Sequence, residues 1–128
     1  MTVDLWMLFW AVLLAFGQLA FAAAVGATQV DLPTLVGNRE NMPARTGLAG
    51  RADRAHRNMM ESLPLFAALV LVAHVAQLAN AQTALGAQLF LYARLVYAVV
   101  YVAGIPWLRT LVWAAAVVGM GMIAAAFF

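Results

Sequence analysis

The sequence predicts an all-α integral membrane protein, a four-transmembrane-helix bundle with both termini on the non-cytoplasmic side. Three observations predict it. The 128 residues are 66% hydrophobic and only 9% charged, whereas a soluble domain of this size carries about 25% charged residues to cover its surface. The apolar residues fall into four stretches long enough to cross roughly 30 Å of hydrocarbon as helices of about 20 residues. Six of the seven arginines lie in or beside two of the connections, as in polytopic membrane proteins.

The first stretch, LWMLFWAVLLAFGQLAFAAAV (5–25), is interrupted only by Gln18. It is expected to be a retained span: its leader MTVD carries an acid and no base, and the run exceeds an ordinary signal-peptide core. The second, 52–79, contains LPLFAALVLVAHVAQLA after a polar opening. The apolar part alone is too short to span, so the helix must use part of the polar stretch, which draws Glu61 and Asn58 toward the bilayer. The third runs over 83–104 and the fourth over 109–128, with Pro106 stopping the helix between them. One loop, 26–50, is long, and the whole of 1–128 reads as a single domain without internal repeat. Arg39, Arg45, Arg51, Arg54 and Arg57 precede the second span and Arg109 borders the fourth, while the 79–83 turn and both termini have none. The positive-inside rule therefore predicts a cytoplasmic long loop.

Composition excludes several functions. Seven arginines, no lysine and a net charge of +2 are too little basic charge for a nucleic-acid partner. There is no cysteine, hence no disulfide, thiolate metal site or cysteine nucleophile. His56 and His74 lack carboxylates at ligand spacing, so no metal is expected. His56 is expected at the membrane interface, and His74 as a neutral hydrogen-bonded core histidine. A reaction catalysed by this chain must borrow its nucleophile or cofactor.

The polar residues inside the spans form two stripes. Arg54, Arg57, Asn58 and Glu61 are spaced 0, +3, +4, +7 and share one helix face, with Arg51 a turn earlier on the same side. A juxtamembrane basic cluster accounts for the arginines but not for Glu61 or Asn58. In the third span Arg94, Tyr97 and Tyr101 repeat the pattern, with Tyr92 off the stripe. Arg94 lies near mid-bilayer, where a charge costs about 2.5–3.5 kcal/mol on insertion scales and marks a paired or functional residue. The second and third helices run antiparallel, which brings Glu61, Tyr97 and Arg94 to one depth and predicts Glu61 and Arg94 within ion-pair or water-bridged distance. Such a layer suits a zwitterionic dicarboxylate, its acids on arginines and its amine on Glu61. Arg109 is either a topology anchor or a cation beside a reacting thiol or oxyanion. Two small-residue motifs, Ala22-x-x-x-Gly26 and Ala115-x-x-x-Gly119, permit close helix approach and predict self-association.

The run GNRENMPARTGLAGRADRAHRNMMESLPLFAALVLVAH, then Arg94-x-x-Tyr97-x-x-x-Tyr101 and Pro106-x-x-Arg109, resembles the MAPEG family, the membrane-associated proteins in eicosanoid and glutathione metabolism, in the compact form of its bacterial members. The resemblance implies a homotrimer that binds glutathione as co-substrate between subunits near the cytosolic side, in a bacterial inner membrane. Carried over by position, it implies that Arg51, Arg54, Arg57, Asn58, Glu61, Arg94, Tyr97 and Tyr101 bind glutathione, and that Arg109 with Tyr101 activates its thiol. The expected function is a glutathione-dependent transferase or peroxidase, with membrane lipid and a lipophilic small molecule as partners. The alternatives are a non-catalytic thiol- or lipid-binding scaffold and a small four-span transporter.

Overall fold

A computed structural model describes all 128 residues. The regular structure is all helical, with no strand: α1 (Val3–Ala27), α2 (Leu32–Val36), α3 (Gly47–Val75), α4 (Ala81–Ala103) and α5 (Pro106–Ala125). Four of these, all but α2, are long and apolar enough to cross a membrane. Large side chains such as Phe16, Leu111 and Val99 point outward, which a lipid solvent accommodates without the cost that water would impose.

Local chemistry sets the boundaries. Thr2 caps α1, its Oγ1 accepting from the Leu5 amide at 3.3 Å, and Asp4 in the first turn complements the positive end of the helix dipole. The short α2 was not anticipated in the long loop. It forms because Asp31 accepts from the Thr34 amide and Pro33 presets the first turn. The Thr34 hydrogen bonds favour the Asp31 carboxylate and hold its pKa below the usual range. The helix expected over 52–79 begins earlier and stops sooner. At its far end Gln77 takes a left-handed φ of 58° and the Leu78 amide returns to the Ala73 carbonyl at 2.8 Å, closing the helix. Pro64 sits inside α3, which continues through it.

A reciprocal capping box starts α4: Asn80 Oδ1 accepts from the Thr83 amide at 3.0 Å while Thr83 Oγ1 accepts from the Asn80 amide at 2.8 Å. Its end is a left-handed glycine, Gly104 at φ 80°, with the Ile105 amide bonded to the Val100 carbonyl at 3.2 Å. A side chain at Gly104 would be strained there. Pro106 then opens α5, where its missing N–H costs nothing.

The helices pack around a central α3–α4 seam, with α1 against one side and α5 against the other. Phe66 of α3 and Phe90 of α4 stack with centroids 4.0 Å apart at the middle of the core, next to Val70, Ala73 and Ala87. The closest approach is between α4 and α5 at Gly86 and Gly119. A Cβ on Gly86 would meet the Gly119 carbonyl oxygen at 2.5 Å, and one on Gly119 would meet the Gly86 oxygen at 2.6 Å. Gly86→Ala is therefore expected to force two backbones apart and cost about 1–3 kcal/mol, the range of overpacked cores. Thermal unfolding in mild detergent checks it, and an unchanged midpoint would mean that the two helices separate freely.

This packing reassigns the small-residue motifs. Gly119 is used within the chain, against α4. Ala22 and Gly26 are covered by Arg45, whose Nη1 donates to the Ala22 carbonyl at 3.3 Å and whose guanidinium occupies the space a Gly26 Cβ would need. Both motifs close the monomer, so neither carries an argument for self-association.

Candidate functional site

At the end of the bundle where the long loop lies, α3, α4 and α5 leave an open cavity of about 370 Å³. Arg54, Arg57, Asn58 and Glu61 come from α3, Tyr97 and Tyr101 from α4, and Arg109 from α5. The helical repeat produces this directly: the α3 residues recur along one face, and the two tyrosines are one turn apart on α4. The α4 terminus at Gly104 and the immediate restart at Pro106 place Arg109 one turn into α5, opposite Tyr101.

The groups are ordered by one another. Arg54 Nε donates to the Tyr101 hydroxyl at 3.3 Å. The Arg109 guanidinium lies over the Tyr101 ring, 4.7 Å from its centroid, and the rings of Tyr97 and Tyr101 are 5.5 Å apart. Tyr101 is thus held between two cations, one at its hydroxyl and one at its face. Three arginines and one carboxylate converge on the cavity, so its lining carries both cationic and anionic groups.

Arg94 sits behind this layer, almost fully buried, and stacks on Tyr97 at 4.2 Å. No direct Glu61–Arg94 ion pair forms. Arg94 Nη1 instead donates to Asn58 Oδ1 at 2.8 Å, and its Nε and second Nη have no partner. Equal depth was insufficient because helix rotation decides the contact: Arg94 points into the α3–α4 seam, whereas Glu61 stands on the open face of α3, exposed. The ion pairs of the chain lie elsewhere. Asp53 accepts from Arg57 at 2.7 Å and from Arg45 at 3.2 Å, tying the loop to α3. Asp53 escaped the sequence reading, although its i, i+4 spacing to Arg57 was a usable signal.

Arg51 is not brought to the cavity. Its Nε donates to the Val102 carbonyl at 2.9 Å, and its side chain lies against Gly104. His74 is not a core histidine: it is exposed on α3, because the inward positions of that turn are Val70 and Ala73. His56 is partly buried, its Nδ1 without a partner. Tyr92, off the stripe, faces outward. A second, basic basin of about 450 Å³ adjoins the cavity and shares Arg54 and Arg57 with it, its far wall formed by Arg39 and Arg45 of the loop.

Four apolar helices around a packed core, with an arginine- and tyrosine-lined cavity open at one end, define a small polytopic helical membrane protein with a polar cavity. The family model for the MAPEG family matches residues 7–128, nearly the whole chain, and the chain belongs to that family. No curated protein and no solved structure matches it.

Proposed function

We propose that the chain is a glutathione-dependent transferase or peroxidase acting on lipophilic electrophiles that reach it from the bilayer. The observation that carries this reading is the cavity in which Arg54, Arg57, Asn58 and Glu61 face Tyr97, Tyr101 and Arg109. Glutathione has two carboxylates, one ammonium and one thiol. Arginine forks suit the carboxylates, Glu61 suits the ammonium, and Arg109 with the Tyr101 hydroxyl suits a thiolate. A chain without cysteine can then perform thiol chemistry with a borrowed sulfur. Membership of the MAPEG family supports the assignment, since glutathione-dependent enzymes are found there together with members that do not catalyse.

The site is open along α3. Arg57 is 71% exposed in the side chain and Glu61 is exposed too, on a helix long enough to span. Charges facing lipid tails are expensive, so a second copy of the chain is the natural cover for this face. The copy number of three rests on the family likeness. The long loop is assigned to the cytoplasm by its arginines, in the inner membrane of a bacterium.

Titrating the detergent-purified protein with glutathione, with and without a model electrophile, tests the reading. Saturable binding near stoichiometric with chains, plus turnover, is the expected result, and native mass spectrometry should give a trimer. Binding without turnover would leave the scaffold alternative. Absence of both would remove glutathione from the account. The transporter alternative is disfavoured because the polar groups of the cavity crowd at one end of the bundle, with Phe66, Phe90, Val70 and Ala73 packed in the core.

A further inference from the structure

A long apolar groove runs along the other side of the α3–α4 seam, facing away from the arginine–tyrosine cavity. Its wider part, about 700 Å³, lies between α1, α3 and α4 and is lined by Gln18, Phe21, Ala55, Val99 and Val102. A second part, about 450 Å³, continues between Met7, Trp10, Leu91 and Leu95, and Leu13 and Leu14 belong to both. From Met7 to Phe21 the groove extends about 21 Å at 1.5 Å per residue, much of the roughly 30 Å hydrocarbon thickness. It runs parallel to the helices and opens sideways, with Val99 71% exposed.

Two polar groups mark one end of this otherwise apolar slot. Arg51 stands where the groove reaches the long loop, its Nε fixed on the carbonyl of the groove residue Val102. No carboxylate pairs with it, and its Nη groups make no bond within the chain. Gln18 lines the groove about one helical turn deeper than Phe21. An arginine with free Nη groups at the loop end, a carboxamide on the wall and an apolar slot beyond are the complement of an anionic head, an ester and an acyl chain. Arginine forks suit phosphate, and basic sites at helix ends bind phospholipid headgroups.

We propose that this groove binds a bilayer phospholipid, its phosphate on Arg51, an ester carbonyl accepting from Gln18 Nε2 and one acyl chain along α1 and α4. Arg51 then serves the lipid rather than the polar cavity, and the assignment stands whether or not glutathione is the cavity's ligand.

Native mass spectrometry of the detergent-solubilised chain titrated with phosphatidylglycerol tests this. Wild type should hold one lipid per chain. Arg51→Ala should weaken that binding by about tenfold or more, the scale of one charge-assisted hydrogen bond, and Arg51→Lys should recover much of it. Gly17→Phe should abolish it: Gly17 lines the groove and a Cβ there meets nothing within 4 Å, so the ring fills the slot without disturbing the bundle. Glycerol phosphate, the headgroup without chains, should not compete. Unchanged lipid occupancy in both Arg51→Ala and Gly17→Phe would overturn the proposal, as would displacement by glycerol phosphate. Disulfide formation between copies through Gly17→Cys would also overturn it, because the groove would then be covered by protein. Glutathione binding by Gly17→Phe should match wild type, which separates this site from the cavity.

Discussion

Arg109→Ala is expected to raise the pKa of the bound glutathione thiol and to lower turnover by roughly one to three orders of magnitude, the scale of removing one electrostatic stabiliser. The cation over the Tyr101 ring is the one α5 contributes to the cavity, and an opposite charge nearby favours the ionised thiol. Glutathione affinity should change little. Arg54→Ala should do the reverse, weakening the hold on a carboxylate and raising KM with a smaller effect on the saturated rate. Because Arg54 also orients Tyr101 through its hydroxyl, some loss of rate is expected there as well. Thiolate absorbance against pH and steady-state kinetics on the two variants separate the roles. If Arg109→Ala leaves both thiol pKa and rate unchanged, Arg109 is a topology anchor and the catalytic assignment falls back on Tyr97 or Tyr101.

The second large effect concerns stability. Asn58→Leu should destabilise the chain by about 3 kcal/mol, because Asn58 Oδ1 is the only acceptor bonded to the buried Arg94 guanidinium. Removing one partner from a buried charge costs far more than the bond is worth, whereas removing both can be nearly neutral. Arg94→Met in the Asn58→Leu background should therefore recover most of the loss. Unfolding free energies of the two single variants and the double variant measure the coupling. Simple additivity would mean that Arg94 finds its stabilisation elsewhere, in Tyr97 or in Glu61 after a rearrangement. The prediction also bears on function, since Arg94 and Tyr97 form the floor behind the cavity and a shift there moves the Tyr97–Tyr101 pair.

Much of this architecture was legible from local signals. Membrane spans are read from composition over about 20 residues, and several helix ends here carry their own marker: Thr2, the Asn80–Thr83 box, Gly104 followed by Pro106. Four members of the α3 stripe, Arg57 included, and two of the α4 stripe were legible for the same reason, because residues at i, i+3, i+4 and i+7 share a face whatever the helix packs against. That is why Arg54, Asn58, Glu61, Tyr97 and Tyr101 meet in one cavity as their spacing implied. The family likeness added Arg109, which spacing alone left between two roles.

What the sequence could not determine is the rotation of each helix about its axis, which depends on contacts between distant segments. Depth put Glu61 and Arg94 in one layer, but rotation gave Arg94 to Asn58 and left Glu61 on the open face. Rotation also turned Arg51 away from the stripe it belongs to by spacing, onto the end of α4. Gly119 and Gly26 read as adhesive surfaces in one dimension; in three they are filled by α4 and by Arg45. In a membrane, hydrophobicity fixes which segments are buried in lipid but is nearly indifferent to which face of a helix meets its neighbour. Steric fit at small residues and the cost of unpaired polar groups decide that, and both belong to the tertiary structure.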